Sequence, residues 1–323
     1  TLGRGETIFD QLTDELEHLD RQVRLLDGAL DPVELMPSYT DLALERRYPV
    51  SLLVTNLNGE QRLERLLASY AAQHAADAAE FIIVDHASTD DSVAVVQAWM
   101  ERLPITLLHC NRNQRYATAN NLARRYARGK VLVFVNNDIV LDEPVLPALI
   151  EALADDTVGM AGVPLYYPDA DGARSDRLQH DGIRFAWDDT VGFMRPHNVK
   201  RRLPGSHSTP EVAAVTTALA ACRAADFDAV GGFCEGYDYG FEDVDLCLAL
   251  RFDAGLRNVC CRATGAIHEE FGTQDRQSES VITERRLGNA KVLHARQGRR
   301  LGREVLASCF DDGLWHQDAL RQR

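Results

Sequence analysis

The chain has 323 residues, 45% of them apolar, and a formal charge of -14 from 35 lysines and arginines against 49 aspartates and glutamates. That length suffices for one large α/β domain or two small ones with an ample core. The charge excludes a nucleic acid as main partner, because a polyanion needs a basic footprint, and no apolar stretch is long enough for a membrane span. The N-terminal sequence TLGRGETIFDQLTDELEHLD is acidic and amphipathic, unlike a secretory signal, and a start at Thr1 reads as a processed or excised chain. Seven cysteines, an odd number without a Cys-x-x-Cys pair, fit reduced and mostly buried thiols in the cytosol.

In chain order, Leu12, Leu16, Leu19, Val23, Leu26 and Leu30 recur at alternating four- and three-residue steps with charges between them. This is a helical seam, equally suited to packing on the body or to homodimerisation. A polar, proline-containing connector is expected over 31–49. The body then alternates: strand 50–55, helix 60–73, strand 81–85, helix 88–102 capped by Ser88 or Thr89, short strand 105–109, helix 117–127 and strand 131–135. Such alternation predicts βαβ units and a mostly parallel sheet with helices on both faces. Beyond Gly159 the pattern loosens into glycine, proline and aromatic residues, followed by an expected strand over 213–222, helices over 224–230 and 241–252, and a charged helical tail over 278–307.

Three successive strands end in polar residues: Thr55-Asn56, Asp85-His86 and Asn136-Asn137-Asp138. Ligands of parallel sheets bind just beyond the carboxyl ends of the strands, so these ends outline a nucleotide-sized crevice. Asp138, flanked by two amides, suits a hard divalent cation that holds phosphate; the plain alternative is a strand-end turn. Asp85 can accept from a base N–H or a ribose hydroxyl, or cap the next helix. No G-x-G-x-x-G follows the first strand, which continues TNLNGEQRLERLL, and no G-x-x-x-x-G-K-[ST] occurs. A dinucleotide-binding oxidoreductase and a P-loop NTPase therefore lose support, and a metal is left to neutralise a diphosphate.

In GFEDVDLCL, Glu242 and Asp243 open a helix, whose positive dipole end stabilises carboxylates. Adjacent acids on a helix point in different directions, so one can serve as base while the other binds or orients. Asp245 reads as solvated or structural. His268, in the segment AIHEEFG, is either a metal ligand or a structural histidine. Among the aromatic residues Tyr166, Tyr167, Phe185, Trp187 and Phe193, Trp187 is the candidate for stacking on an acceptor sugar.

Taken together, PVSLLVTNLN, FIIVDHASTDDS, NRNQRYATANNLARRYARGKVLVFVNND, AVGGF, GFEDVDLCL and AIHEE resemble an inverting glycosyltransferase of family 2, over about residues 48–274. LQHDGIRF and AVTTALAACRAADFDAVGGF are similar to the members that build bacterial O-antigen and capsule chains, including rhamnosyltransferases. The resemblance implies a GT-A fold, a nucleotide-sugar donor (UDP- or dTDP- rather than GDP-linked), an Mn2+ or Mg2+ ion and a glycan or lipid-linked glycan acceptor. It divides the chain into an N-terminal helical arm (1–47), a GT-A domain (48–275, with donor half 48–140 and acceptor half 141–275) and a helical tail (276–323). By position it assigns Thr55, Asn56 and Asp85 to the nucleoside. Asn113, Asn120 and the strand-end amides Asn136 and Asn137 fall beside the diphosphate and sugar. Asp138 and His268 go to the metal, Asp243 is the general base, and Glu242 contacts the acceptor or the donor sugar. Arg115 stands where the family has glycine, so either the backbone needs no positive φ there or Arg115 contacts the diphosphate. Asn136 replaces the first acid of the D-x-D pattern and lowers the charge at the metal. A cytosolic enzyme, at most peripherally associated with the membrane, is the expectation. A catalytically silent glycan-binding or assembly module is the alternative.

Overall fold

In a computed structural model of the chain, residues 33–37, 48–74, 78–188, 193–201, 209–238, 240–269, 287–298 and 300–301 are described. The first half follows the expected alternation: β2 (Val50–Asn56), α1 (Glu60–His74), β3 (Ala79–Asp85), α2 (Ser92–Trp99), β4 (Ile105–Cys110), α3 (Tyr116–Tyr126) and β5 (Val131–Asn136). These strands lie parallel in the order β4-β3-β2-β5. Side chains alternate between the two faces of a strand. Thus Leu52, Val54, Phe81, Ile83, Val133 and Val135 meet Leu63, Leu66, Leu67, Val96 and Trp99 of α1 and α2 on one face. On the other, Leu53, Ile82, Val84, Leu132 and Phe134 meet Leu122 and Ala123 of α3. Both faces are covered, which is why these strands are uninterrupted apolar runs in sequence; each such side chain contributes roughly 1.5–3 kcal/mol by leaving water.

The second half extends the same sheet. Past α4 (Leu146–Leu153) come β7 (Val158–Gly162), β13 (Leu219–Arg223), β14 (Arg257–Cys260) and the short edge strand β12 (Glu211–Val212). β13 is inserted antiparallel between β5 and β7, and β14 runs parallel to β7. A smaller sheet orders β6 (Ile139–Val140), β15 (Ala266–His268), β8 (Leu165–Pro168) and β9 (Arg174–His180), and β10 (Ile183–Asp188) forms a hairpin with β11 (Phe193–Asn198). Two further helices, α5 (Ala224–Ala229) and α6 (Glu242–Phe252), pack on the α3 face. No helix among the described residues is long and apolar enough to cross a membrane.

Three local expectations are corrected. The connector 31–49 contains a strand, β1 (Val33–Pro37), which pairs antiparallel with β4; the outer edge of β4 would otherwise expose a row of unpaired backbone groups. The helix expected from Ser88 begins only at Ser92, because Ser88 is held by the preceding strand ends. The strand expected over 213–222 begins only at Leu219, and Thr216–Ala218 form site contacts instead. The helical seam over 12–30 lies outside the described residues. The six described cysteines are free, and all but Cys234 are buried.

Of the expected tail, residues 287–298 are helical and bury Ala290 and Leu293. Arg296 Nε and Gln297 Nε2 from this helix donate to Asp245 at 2.9 and 2.8 Å. Asp245 is thus a buried structural anion at the base of α6, 2% exposed. The double variant Arg296→Ala, Gln297→Leu removes both tail-helix partners from this carboxylate and should lower the unfolding free energy by about 3 kcal/mol, measurable by urea denaturation.

Candidate active site

The strand register aligns the polar ends: Thr55 lies beside Asn136, and Asn56 beside Asp85. Asn56 joins three strand ends. Its Nδ2 donates to Asp85 Oδ1 at 2.9 Å and to Ser88 Oγ at 3.2 Å, and its Oδ1 accepts from Asn137 Nδ2 at 2.7 Å. This bridge needs Gly59, where a Cβ would stand 2.3 Å from both Asn137 Nδ2 and Asn56 Oδ1. Asp85 also accepts from the Ser88 N–H at 2.9 Å and faces His109 Nδ1 at 3.0 Å.

The N–H groups that lead into α1 are already taken. Ser88 Oγ accepts from the Asn58 N–H, Ser92 Oγ from Gly59 and Asp90 Oδ2 from Glu60, at 2.9, 3.1 and 3.1 Å. A helix N-terminus binds phosphate through such groups only when they are free. These three N–H groups are therefore not available to a phosphate. Among the described non-glycine residues, positive φ occurs at Asn58 (48°), Ala87 (59°) and Phe241 (75°). All three lie in segments that carry candidate site residues, as expected of strained backbone held in place by its surroundings.

Asp138 and His268 meet at the end of β5 and β15. His268 Nε2 is 3.2 Å from Asp138 Oδ1, and the Glu269 N–H donates to the Asp138 carbonyl at 3.0 Å. His268 Nδ1 lies 2.6 Å from Gln179 Oε1; because that oxygen only accepts, Nδ1 carries a proton, and Nε2 is the ring nitrogen directed at Asp138. Burial acts to raise the Asp138 carboxyl, but the hydrogen bond and charge of His268 outweigh it and hold the group below the usual carboxylate range. Asp138 Oδ1 is buried without a hydrogen-bond partner of good geometry.

This pair fits a small divalent cation. Ligand atoms sit about 2.0–2.2 Å from such ions, so neighbouring ligands at right angles are about 3 Å apart, near the separation observed. Among the described residues no group of three or more histidine, cysteine, aspartate or glutamate side chains could hold an ion. A cation here would complete its shell with water and diphosphate oxygens.

Glu242 and Asp243 open α6 directly after Phe241, whose left-handed backbone turns the chain into the helix. Asp243 Oδ1 accepts from the Val244 N–H at 2.8 Å and Oδ2 from the Thr217 N–H at 3.4 Å. Burial pushes the Asp243 carboxyl up, partly countered by those donors and the Thr216 hydroxyl. Glu242 has a buried, unpartnered Oε2, and burial, reinforced by the charge of Asp243, pushes it up to about 8. Glu242 therefore carries the proton at neutral pH while Asp243, with its donors, is the better place for the charge.

Residues 216–218 connect the two acid sites. The Asn136 N–H donates to the Ala218 carbonyl at 2.9 Å, Tyr116 Oη donates to the Thr217 carbonyl at 3.0 Å, and the Thr217 N–H reaches Asp243. His180, neutral because burial lowers it to about 4, accepts the Thr216 N–H on Nε2 at 3.4 Å and faces Asn198 Oδ1 through Nδ1 at 2.8 Å.

Other candidates lie differently. Asn113 Oδ1 is 3.0 Å from His86 Nδ1. Asn120 is fully buried and donates back to the Tyr116 carbonyl at 3.0 Å. Arg115 has φ -70° and so needs no glycine, and its guanidinium donates to the Glu235 carbonyl at 3.0 Å. Trp187 lies in the β10–β11 hairpin; its side chain is outside what is described. Gln179, His180, His86, His109, Thr216 and Thr217 belong to the site region without having been singled out by sequence reasoning; LQHDG was the visible signal for the first two.

The fold is shared with solved glycosyltransferases. GalNAc-T7 with UDP, GalNAc and Mn2+ matches at TM-score 0.55 and 16% identity, over 69% of this chain and 44% of that one. The mannosyltransferase PcManGT of Pyrobaculum calidifontis with GDP-Man and Mn2+ matches at TM-score 0.53 and 21% identity, over 86% and 71%. The sheet order and these matches show a GT-A fold. Residues 51–223 match glycosyl transferase family 2, and the chain belongs to that family. The O-antigen biosynthesis protein RfbC of Myxococcus xanthus is 30% identical over 240 residues, 71% of this chain and 18% of the relative. The chain spans 18% and 28% of the length of two curated relatives that it matches over most of its own.

For Glu242 the fold binds a proton more tightly than the unfolded chain does. Stability therefore falls as pH rises from the ordinary carboxylate range through about 8. Glu242→Gln removes that titration. Its melting temperature should decline less than that of the parent protein over this window and exceed it most above the upper end, as read by scanning fluorimetry across pH; superimposable profiles would refute a buried proton on Glu242.

Proposed function

We propose that this chain is a metal-dependent, inverting glycosyltransferase that moves a sugar from a nucleoside-diphosphate donor to a hydroxyl of a growing bacterial surface glycan at the cytoplasmic side of the membrane. The observation that carries the reading is the Asp138–His268 pair just past the end of β5, where Asn136 bonds the segment 216–218 that also reaches Asp243. Metal dependence draws support from the fit of Asp138 and His268 to a divalent ion and from the Mn2+ in the two related structures. The surface-glycan role draws support from the O-antigen relative. Donors of both UDP and GDP type occur among the structural relatives; a UDP- or dTDP-sugar remains the proposed donor class.

In this mechanism Thr55, Asn56 and Asp85 hold the nucleoside, and Asn113, Asn136 and Asn137 line the diphosphate and sugar; Asn120, fully buried inside α3, does not reach them. Asp138 and His268 hold an Mn2+ or Mg2+ ion, which when bound offsets the charge developing on the departing diphosphate. Asp243 takes the proton of the acceptor hydroxyl. The freed oxygen bonds to the anomeric carbon from the face opposite the diphosphate, whose C–O bond breaks and which leaves with the electron pair, inverting the configuration. Glu242, already protonated, cannot be the base; it donates a hydrogen bond to a sugar hydroxyl. Trp187 and Glu242 contact the acceptor.

A general base contributes roughly 10²- to 10⁴-fold. Asp243→Asn should lower transfer by that factor, measured as nucleoside diphosphate release, while donor binding by calorimetry stays within about threefold; near-normal turnover would exclude Asp243 as base. A second prediction concerns the metal. With only two protein ligands, donor-free Mn2+ binding should be weak and tighten markedly when UDP, GDP or dTDP is added, and EDTA should abolish transfer until Mn2+ or Mg2+ is restored. Tight Mn2+ binding without nucleotide, or full activity in EDTA, would count against this reading.

A further inference from the structure

We infer that Gln179 is a positioning residue that fixes the tautomer and direction of His268 for cation binding, an inference that rests on the metal reading above. Gln179 lies in β9, two strands away from β15 in the smaller sheet, whose order is β6-β15-β8-β9. In a regular ladder its side chain would point along its own pleat. The pairing of β8 with β9 is irregular here: Leu165 is opposite His180, while Tyr166 is opposite Leu178. Gln179 is therefore the extra residue of a bulge, a device that re-aims a side chain beside a site. The side chain is 4% exposed and reaches past β8, to put Oε1 2.6 Å from His268 Nδ1.

The chemistry follows from the amide. Its oxygen can only accept, so Nδ1 keeps a proton, and Nε2, 3.2 Å from the Asp138 carboxylate, is the nitrogen left for a cation to take in place of a proton. A histidine ligand must be neutral with its ligating nitrogen bare, and a hydrogen bond to the other nitrogen selects that state. Without Gln179 the ring is free to place its proton on Nε2, where it would donate to Asp138 and close the gap to a cation. The adjacent residue, His180, points elsewhere and holds the Thr216 N–H, so the two neighbours support the metal pair and the Asp243 segment respectively.

The test uses the full chain with three variants, Gln179→Leu, Gln179→Glu and His268→Ala. Protein labelled with 15N-histidine, metal-free, reports the His268 tautomer by NMR, with His268→Ala identifying the signal. Mn2+ affinity in the presence of UDP, GDP or dTDP is read by electron paramagnetic resonance. Gln179→Leu should lower the Nδ1–H share of the His268 signal relative to the parent and weaken Mn2+ binding by about 10- to 100-fold. Gln179→Glu, which keeps an acceptor of the same reach, should retain both properties; this rescue separates the hydrogen bond from loss of packing. An unchanged tautomer or unchanged Mn2+ affinity in Gln179→Leu overturns the role of Gln179 while leaving the metal site intact. If His268→Ala binds Mn2+ as the parent does, or the parent binds none with any of the three nucleotides, the metal reading falls and this inference with it.

Discussion

The amide of Asn56 is the fixed point on which the donor side of this molecule depends. It stands at the end of β2, the central strand of the parallel half, donating to Asp85 and Ser88 on one side and accepting from Asn137 on the other. Three chain segments that are far apart in sequence are thereby set at one level. The group is 2% exposed, so leaving any of these contacts unmade would leave a buried polar atom unsatisfied, at about 1–3 kcal/mol each. The position of Asp138, one residue past Asn137, follows from that clamp. The need to bring two amides together over α1 explains why Gly59 tolerates no side chain.

At the start of α6 the governing term is desolvation. Two adjacent acids begin a helix in a largely buried setting, and the fold cannot hold both as anions at neutral pH. The donors around Asp243 decide which carries the charge, whereas Glu242 has an oxygen with no partner among the described residues. Phe241, held in the left-handed region, is the strained residue that lets the helix begin at this point. The contrast between the two acids comes from their surroundings, since their chemistry is nearly the same.

Much of the first half was legible in the sequence because its strands are buried on both faces and end in polar residues; the apolar runs and their polar ends survive any detail of packing. The acids of GFEDVD and the histidine of AIHEE were legible as candidates for the same reason, since each follows or opens a clear element. What was not legible depends on long-range reach. The β-bulge at Gln179 leaves no periodic signature, and the contact of His109 with Asp85 needs the β3–β4 register. The Thr-rich run before Leu219 has strand composition, yet its backbone is drawn away to Asn136 and Asp243. Arg115 looked like a departure from a glycine pattern, but the extended backbone there never required glycine. The edge strand β1 was hidden because edge pairing demands little of the side chains.

The anchoring of Asp245 to the helix over 287–298 bears on how this catalytic unit can be moved between proteins. The family match ends at residue 223, before Asp243 and His268, and far before Arg296 and Gln297. A fragment trimmed to that match keeps the polar strand ends of the first half and loses both the Glu242–Asp243 pair and His268, the partner of Asp138. One trimmed after residue 269 keeps every candidate side chain but strips the covering from α6 and leaves its internal carboxylate facing water. The portable module is therefore longer than the stretch by which the family is recognised, and a graft or chimera has to carry the tail helix along with the chemistry that it underlies.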